Sequence, residues 1–168
     1  MRYFLVGFMG TGKSYWGKLW AKASGISYYD LDEEIEKAEG KTITDIFKEN
    51  GEGYFRKKEK QVLSSFFKKD NFILSCGGGT PCFFNNMKKM NQKGVTIYLK
   101  TGIDELVKRL SAEKQIRPLI GNVEDDLLKD FILQRLKERE PFYSKAIYHF
   151  NTAFLSEENF KKIASQHE

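Results

Sequence analysis

The stretch Gly7-Phe8-Met9-Gly10-Thr11-Gly12-Lys13-Ser14 decides the fold of this chain. It follows a short apolar run, residues 3–6, which predicts a strand buried on both faces of a sheet. Residues 13–23 have the spacing of a helix that begins at the glycine-rich turn. The stretch matches the pattern G-x-x-x-x-G-K-[ST] in the strand–turn–helix context that a P-loop requires. The sequence therefore predicts a P-loop protein.

Each residue type in this stretch suits the binding of a nucleoside triphosphate. Glycines let backbone N–H groups turn toward phosphate oxygens, and the positive end of the helix dipole favours the same anion. Lys13 is expected to reach the β- and γ-phosphates, and the Ser14 hydroxyl is expected to ligate Mg²⁺. A glycine turn that binds no ligand is the alternative.

Strand-like and helix-like periods alternate along the rest of the chain, without repeats, low-complexity tracts or flexible linkers. Further strands are predicted at residues 26–29, 72–74, 95–99 and 147–150, and helices at 33–38, 43–49, 54–67, 103–110, 125–139 and 156–164. Gly51 and Pro141 are expected to stop two of these helices. Such alternation predicts a parallel sheet covered on both faces, with ligands at the carboxyl ends of its strands.

Composition narrows the class of protein. The chain has 168 residues, 40% of them apolar, which suits a single domain over residues 1–168. Its apolar runs are too short for a membrane span or a secretory signal, and Cys76 and Cys82 cannot build a disulfide framework. We therefore expect a reduced, cytoplasmic compartment. The net charge of +5 comes from interspersed signs, which favours a solvated surface over a nucleic-acid or membrane partner.

Arginine is scarce, since only 6 of the 28 basic residues are Arg. Because Lys supplies general positive charge here, each Arg is a candidate for a site that needs a planar, two-pronged guanidinium. A genome composition that favours Lys explains the bias equally well.

Two more strands are predicted to end in unusual chemistry. In Asp30-Leu31-Asp32 the two carboxylates can diverge, one toward a water on Mg²⁺ and the other toward an acceptor hydroxyl. The alternative is an acidic first turn of a helix. Gly77-Gly78-Gly79 permits a ligand to approach bare backbone, or forms a flexible turn.

Three arginines are candidates for binding an anionic ligand. Arg56 suits a guanidinium fork for an acceptor carboxylate, held in position by Glu59, or else these two residues form an ordinary surface ion pair. Arg117 lies in the polar stretch 111–121, which is either a mobile lid over the phosphates or a solvated loop. Arg139 ends a long helix, where the alternatives to a binding role are a helix-terminal cation and an ion pair with Glu138 or Glu140.

The class of P-loop protein follows from what the sequence lacks. It contains neither the D-x-x-G switch nor the N-K-x-D base reader of a GTPase, and it is short for a motor or AAA-type ATPase. A small metabolite or nucleotide kinase is therefore favoured.

Essentially the whole chain resembles the shikimate kinase family in the order and spacing of its motifs. The motifs that carry the resemblance are the P-loop, Asp30-x-Asp32, Phe55-Arg56-x-x-Glu59, Gly77-Gly78-Gly79, Arg117-Pro118-Leu119 and Arg139-x-x-x-Tyr143. The resemblance implies a P-loop NTPase three-layer α/β/α sandwich, like nucleoside monophosphate kinases, with a five-stranded parallel sheet in the order 2-3-1-4-5 and a mobile lid. It also implies transfer of the ATP γ-phosphate to the 3-hydroxyl of shikimate, on the route to chorismate and the aromatic amino acids, by a monomer.

The resemblance assigns roles by position. The implied nucleotide-binding residues are Gly10, Thr11, Gly12, Lys13, Ser14, Tyr15, Arg109 and Arg117, with Ser14 and Asp30 at the metal. The implied acceptor-binding residues are Asp32, Arg56, Gly77, Gly78, Gly79 and Arg139. Lys13, Asp32 and Arg117 are implied to be catalytic, and Asp32 is either a base or an orienting group.

Two positions depart from the family. Tyr15 stands where the family usually has Ser or Thr for a contact to the α-phosphate. The segment 151–154 lacks the polar or basic residue that many members of the family place near the adenine, and Phe154 is expected either to pack on the base instead or to belong to the core. Two other functions stay open, a kinase of another small metabolite such as gluconate and a catalytically silent ATP-binding module.

Overall fold

The computed structural model describes residues 1–114 and 118–167. Its centre is a parallel sheet of five strands: β1 (Arg2–Val6), β2 (Ser27–Asp30), β3 (Phe72–Ser75), β4 (Val95–Lys100) and β5 (Tyr148–Asn151). The strand order is β2-β3-β1-β4-β5, and all neighbouring pairs are parallel. The predicted order is confirmed, and every observed strand boundary lies within one residue of the predicted one.

Helices cover both faces of this sheet. They are α1 (Lys13–Ser24), α2 (Leu31–Glu39), α3 (Ile43–Phe66), α4 (Asn86–Lys93), α5 (Ile103–Ala112), α6 (Pro118–Gly121), α7 (Asp125–Tyr143) and α8 (Glu157–Gln166). Short 3₁₀ turns occupy Thr80–Cys82 and Thr152–Phe154. Helix α4 and the 3₁₀ turns were not predicted, because elements this short carry too little periodicity. No helix in the described ranges is long and apolar enough to cross a membrane.

Alternate residues of β1 supply two cores, one on each face of the sheet. Phe4 and Val6 belong to the larger core, together with side chains of α2, α3 and α7. Tyr3 and Leu5 belong to the smaller one, which contains Trp20. Burying each large apolar side chain stabilises the fold by about 1.5–3 kcal/mol, so β1 and the P-loop that follows it are firmly held.

Of the two predicted helix stops, the one at Gly51 is confirmed and the one at Pro141 is wrong. Gly51 has non-helical backbone angles, φ 79° and ψ 173°, and divides α3 into two helical segments that meet at a kink. Pro141 lies inside α7, which continues to Tyr143. A proline so close to a helix end removes one hydrogen bond and leaves the rest of the helix intact. Consequently Tyr143 remains on the helix, about one turn after Arg139.

The stretch 111–121 is not simply a loop, because its first residues belong to α5 and its last four form α6. Lys114 pairs with Asp125 at 2.8 Å, and Ile120 is buried. Arg117 lies outside the described residues, so the lid and its arginine stay predictions.

Candidate active site

The P-loop is a closed turn between β1 and α1, braced by its own groups. Gly12 has a φ of 85°, which residues with a Cβ rarely adopt, and α1 begins directly after it. The Lys13 ammonium donates to the carbonyls of Gly7 and Phe8 at 2.9 and 2.8 Å. The buried Thr11 hydroxyl donates to the Phe8 carbonyl at 2.9 Å. The Thr11 side chain therefore stabilises the loop, which leaves its backbone N–H group for a phosphate.

Ser14 and Asp30 meet at the start of α1. The Ser14 hydroxyl donates to the Asp30 carboxylate at 3.0 Å, and the other Asp30 oxygen accepts from the Asp32 backbone N–H at 3.0 Å. Among the described residues, no group of three or more His, Cys, Asp or Glu could hold a metal ion. Mg²⁺ prefers oxygen ligands and usually takes only one or two from the protein, the rest coming from water and phosphate. This pair of oxygens fits that requirement.

A cavity of about 410 Å³ opens in front of the P-loop, and we call it the P-loop cleft. Its lining includes the predicted residues Gly10, Gly12, Lys13, Ser14, Tyr15, Asp30, Asp32 and Arg109. The Arg109 guanidinium donates to the Gly10 carbonyl at 3.0 Å and pairs with Glu105 at 2.7 Å, so it is held on the loop. Tyr15 is 66% exposed at the edge of the cleft. The predicted nucleotide residues thus gather in one place, although Arg117 lies outside the described residues.

A second cavity, of about 150 Å³, adjoins the first, and we call it the arginine cleft. It is lined by Met9, Asp32, Ile43, Phe47, Phe55, Arg56, Glu59, Gly77, Gly78, Gly79 and Arg139. Met9, Asp32, Gly77 and Gly78 line both clefts. The two clefts therefore meet at a carboxylate and at the backbone of the glycine stretch.

Arg56 is fixed by a fully buried carboxylate. Its guanidinium pairs with Glu59 at 3.0 Å and lies 4.3 Å from the centre of the Phe83 ring. The Glu59 side chain is 0% exposed, and its second oxygen accepts from the Thr80 hydroxyl at 2.6 Å. Because a buried carboxylate must be paired on both oxygens, this arrangement holds Arg56 in one orientation. The alternative of an ordinary surface ion pair is wrong.

The stretch Gly77-Gly78-Gly79 leaves room for the two arginines. A Cβ at Gly79 would lie 2.5 Å from a terminal nitrogen of Arg56, and one at Gly78 would lie 3.0 Å from a terminal nitrogen of Arg139. Gly79 has a φ of −89°, which any residue can adopt. Close approach, rather than backbone flexibility, is therefore the reason for glycine at Gly78 and Gly79.

Asp32 lies where the two clefts meet, and its pKa is raised to about 7. Burial is the largest cause, followed by the negative charges of Asp30 and Glu59. Lys13 and Arg56 lower the pKa, but by less. A carboxyl group with a pKa near neutrality can accept or release a proton at physiological pH.

Comparison with known proteins identifies the family. The family model described as shikimate kinase matches residues 9–168. The chain belongs to the shikimate kinase family. The shikimate kinase of Bacteroides thetaiotaomicron is 44% identical over 151 residues, which cover 90% of this chain and 86% of that protein.

Two solved shikimate kinases share the fold. The crystal structure from B. thetaiotaomicron has a TM-score of 0.90 at 40% identity, covering 99% of this chain and 97% of that chain. The shikimate kinase from Acinetobacter baumannii in complex with shikimate has a TM-score of 0.86 at 32% identity, covering 99% of this chain and 92% of that chain. The predicted shikimate kinase resemblance and P-loop kinase fold are confirmed.

Several residues of this shikimate kinase site were not predicted from the sequence. The unpredicted lining residues include Met9, Ile43 and Phe47, and Thr80 was not predicted to support Glu59. Ile43 and Phe47 are four residues apart at the start of a helix, a spacing that could have indicated one shared wall. Phe154 is 81% exposed, so the prediction that it belongs to the core is wrong.

Proposed function

We propose that this chain transfers the γ-phosphate of ATP to the 3-hydroxyl of shikimate. The observation that carries the proposal is the junction of two clefts at Asp32, one built on the P-loop and the other containing Arg56 and Arg139. Membership of the shikimate kinase family, and the relative whose structure is a complex with shikimate, support the same acceptor.

The arginine cleft suits a cyclic, hydroxylated carboxylate. Arg56 and Arg139 can receive a carboxylate through their planar forks, which suit two parallel hydrogen bonds. The side chains of Ile43, Phe47 and Phe55 supply an apolar wall for the carbon ring. The acceptor would thus lie with one hydroxyl near Asp32, between the arginines and the P-loop.

Asp32 is proposed to orient the acceptor hydroxyl and to accept its proton. Phosphoryl transfer depends mainly on positioning and on electrostatic stabilisation, since its transition state is loose. Asp32 lies at the cleft junction, where it can position the acceptor hydroxyl, and its pKa near 7 suits the proton transfer. Lys13, held against the P-loop carbonyls, is proposed to supply the electrostatic stabilisation.

Ser14 and Asp30 are proposed to hold Mg²⁺ with the nucleotide. When bound there, Mg²⁺ would neutralise charge on the phosphate oxygens. Asp30 is already oriented for this role by the Ser14 hydroxyl and by the Asp32 backbone N–H.

We further propose that residues 1–168 form one catalytic domain that acts as a cytoplasmic monomer, without nucleic-acid or membrane partners. Support comes from the single sheet with a core on each face and from the interspersed surface charge.

The test is ATP turnover by the full chain with shikimate, with gluconate and without acceptor, each across a Mg²⁺ titration. We expect ATP turnover that depends on Mg²⁺ and occurs only when shikimate is the acceptor. The product should be heavier than shikimate by one phosphoryl group. Lys13→Ala should abolish it, whereas Lys18→Ala, on the exposed side of α1, should not. Turnover with gluconate instead would indicate the other kinase, and ATP binding without any turnover would indicate a silent module.

A further inference from the structure

Tyr143 is a buried phenol at the end of α7 that the proposed function does not use. The side chain is 0% exposed, and its hydroxyl donates to the Gly78 carbonyl at 2.5 Å. The two residues are 65 positions apart in the chain. This hydrogen bond therefore ties α7 to the glycine stretch where the two clefts meet.

Arg139 lies about one turn before Tyr143 on the same helix, and its positive charge acts on the Tyr143 phenol. A Cβ at Gly78 would lie only 3.0 Å from an Arg139 nitrogen, so the Arg139 guanidinium and the Tyr143 hydroxyl both lie close to the Gly78 backbone. Burial raises the pKa of Tyr143 by more than the positive charge of Arg139 lowers it. The hydroxyl consequently stays protonated and remains a hydrogen-bond donor.

The two arginines of the cleft are held in different ways. Arg56 is paired with Glu59, a carboxylate that offsets part of its charge. Arg139, by contrast, forms no ion pair with any residue of the described ranges. Its guanidinium lies 5.5 Å from the centre of the Phe8 ring, and its charge acts on the Tyr143 phenol; both rings are uncharged. A neutral support orients Arg139 while leaving its full charge for an incoming anion.

We propose that Tyr143 is a positioning residue for the acceptor, whose hydroxyl fixes the separation between the Arg139 guanidinium and the Gly78 backbone. Both groups line the arginine cleft, and Gly78 also lines the P-loop cleft. The inference rests on the proposed function, since it concerns how the proposed acceptor is held.

The test compares Tyr143→Phe with Tyr98→Phe. Tyr98 is a matched control, because its ring lies 5.1 Å from that of Tyr143 and its hydroxyl donates to Glu140 at 2.7 Å. Each variant loses one largely buried hydroxyl and keeps the ring, so similar losses of thermal stability are expected. Only Tyr143→Phe should raise the KM for shikimate, by about 5–10-fold, the size expected for one hydrogen bond. Its kcat and its KM for ATP should stay within about twofold.

A double variant shows whether Tyr143 acts through Arg139. If it does, Tyr143→Phe combined with Arg139→Lys should have a KM for shikimate within about twofold of Arg139→Lys alone. Gly78→Ala probes the same contact from the other side and should also raise this KM.

Three results would overturn the inference: an unchanged KM in Tyr143→Phe, an equal rise in Tyr98→Phe, or effects that multiply in the double variant. A wild-type protein that does not phosphorylate shikimate would overturn the proposed function, and this inference with it. The two failures are distinguishable, because the wild-type assay alone reveals the second.

Discussion

The P-loop cleft and the arginine cleft adjoin one another but are built in different ways. The hydrogen bonds that brace the P-loop join groups three to six residues apart. Those that brace the arginine cleft include bonds that span 21 residues, from Thr80 to Glu59, and 65 residues, from Tyr143 to Gly78. The P-loop turn itself is thus braced mainly within one contiguous segment, with Arg109 joining it from 99 residues away. The arginine cleft depends instead on the packing of α3, α7 and the glycine stretch. We therefore expect substitutions in the arginine cleft to affect the acceptor and to spare the nucleotide.

The largest effect is expected where the two clefts meet. Asp32→Asn keeps the shape of the side chain but removes the proposed base, so kcat should fall by about 10²-fold, the scale of general-base catalysis. The KM for ATP should change little. Steady-state kinetics with both substrates tests this, with Asp104→Asn, an exposed carboxylate paired with Lys129, as the control. An unchanged kcat would mean that Asp32 only lines the junction.

Arg56→Lys should have the next largest effect. The variant keeps the charge but loses the planar fork, which should weaken shikimate binding by about 1.5–3 kcal/mol, more than tenfold in KM. The KM for ATP should not change. Arg135→Lys is the matched control, since Arg135 pairs with Glu138 on the exposed side of α7. A rise of less than twofold in the shikimate KM would contradict the proposed role of Arg56.

Gly79→Ala tests the close approach of the glycine stretch to Arg56. The new Cβ would lie 2.5 Å from an Arg56 nitrogen, so the guanidinium must move and the shikimate KM should rise by about tenfold, equivalent to 1.4 kcal/mol. Gly53→Ala is a matched control in α3, because a Cβ there meets nothing within 4 Å. Equal kinetics in the two variants would show that the contact has no role in acceptor binding.

The smallest predicted effect is the dependence of activity on pH. Because Asp32 has a pKa raised to about 7 and is proposed to act when ionised, kcat/KM for shikimate should rise with pH, with a midpoint near 7. Activity at pH 7 should thus be about half of its value at higher pH. Asp30→Asn removes the negative charge that raises the pKa of Asp32 most and should move the midpoint to lower pH. A flat profile between pH 6 and 8 would contradict proton transfer to Asp32.

The same raised pKa affects stability with a defined sign. The folded chain holds the Asp32 proton more tightly than the unfolded chain does, since the pKa of Asp32 is about 7 when folded and near 3.8 when unfolded. The contribution of Asp32 to folding is therefore most favourable below about pH 4 and is lost as the pH rises through 7.

The sequence by itself determined the P-loop, the positions of the five strands and, through the resemblance of its motifs, the family. These features depend on local patterns, because glycine spacing sets the turn and apolar runs set the buried strands. Only the tertiary structure showed that Glu59 is fully buried, that the glycines make room for Arg56 and Arg139, and that Tyr143 reaches Gly78. Each of these features depends on contacts between residues far apart in the chain. Periodicity within a segment carries no information on such contacts, which the packing of helices on the sheet alone decides.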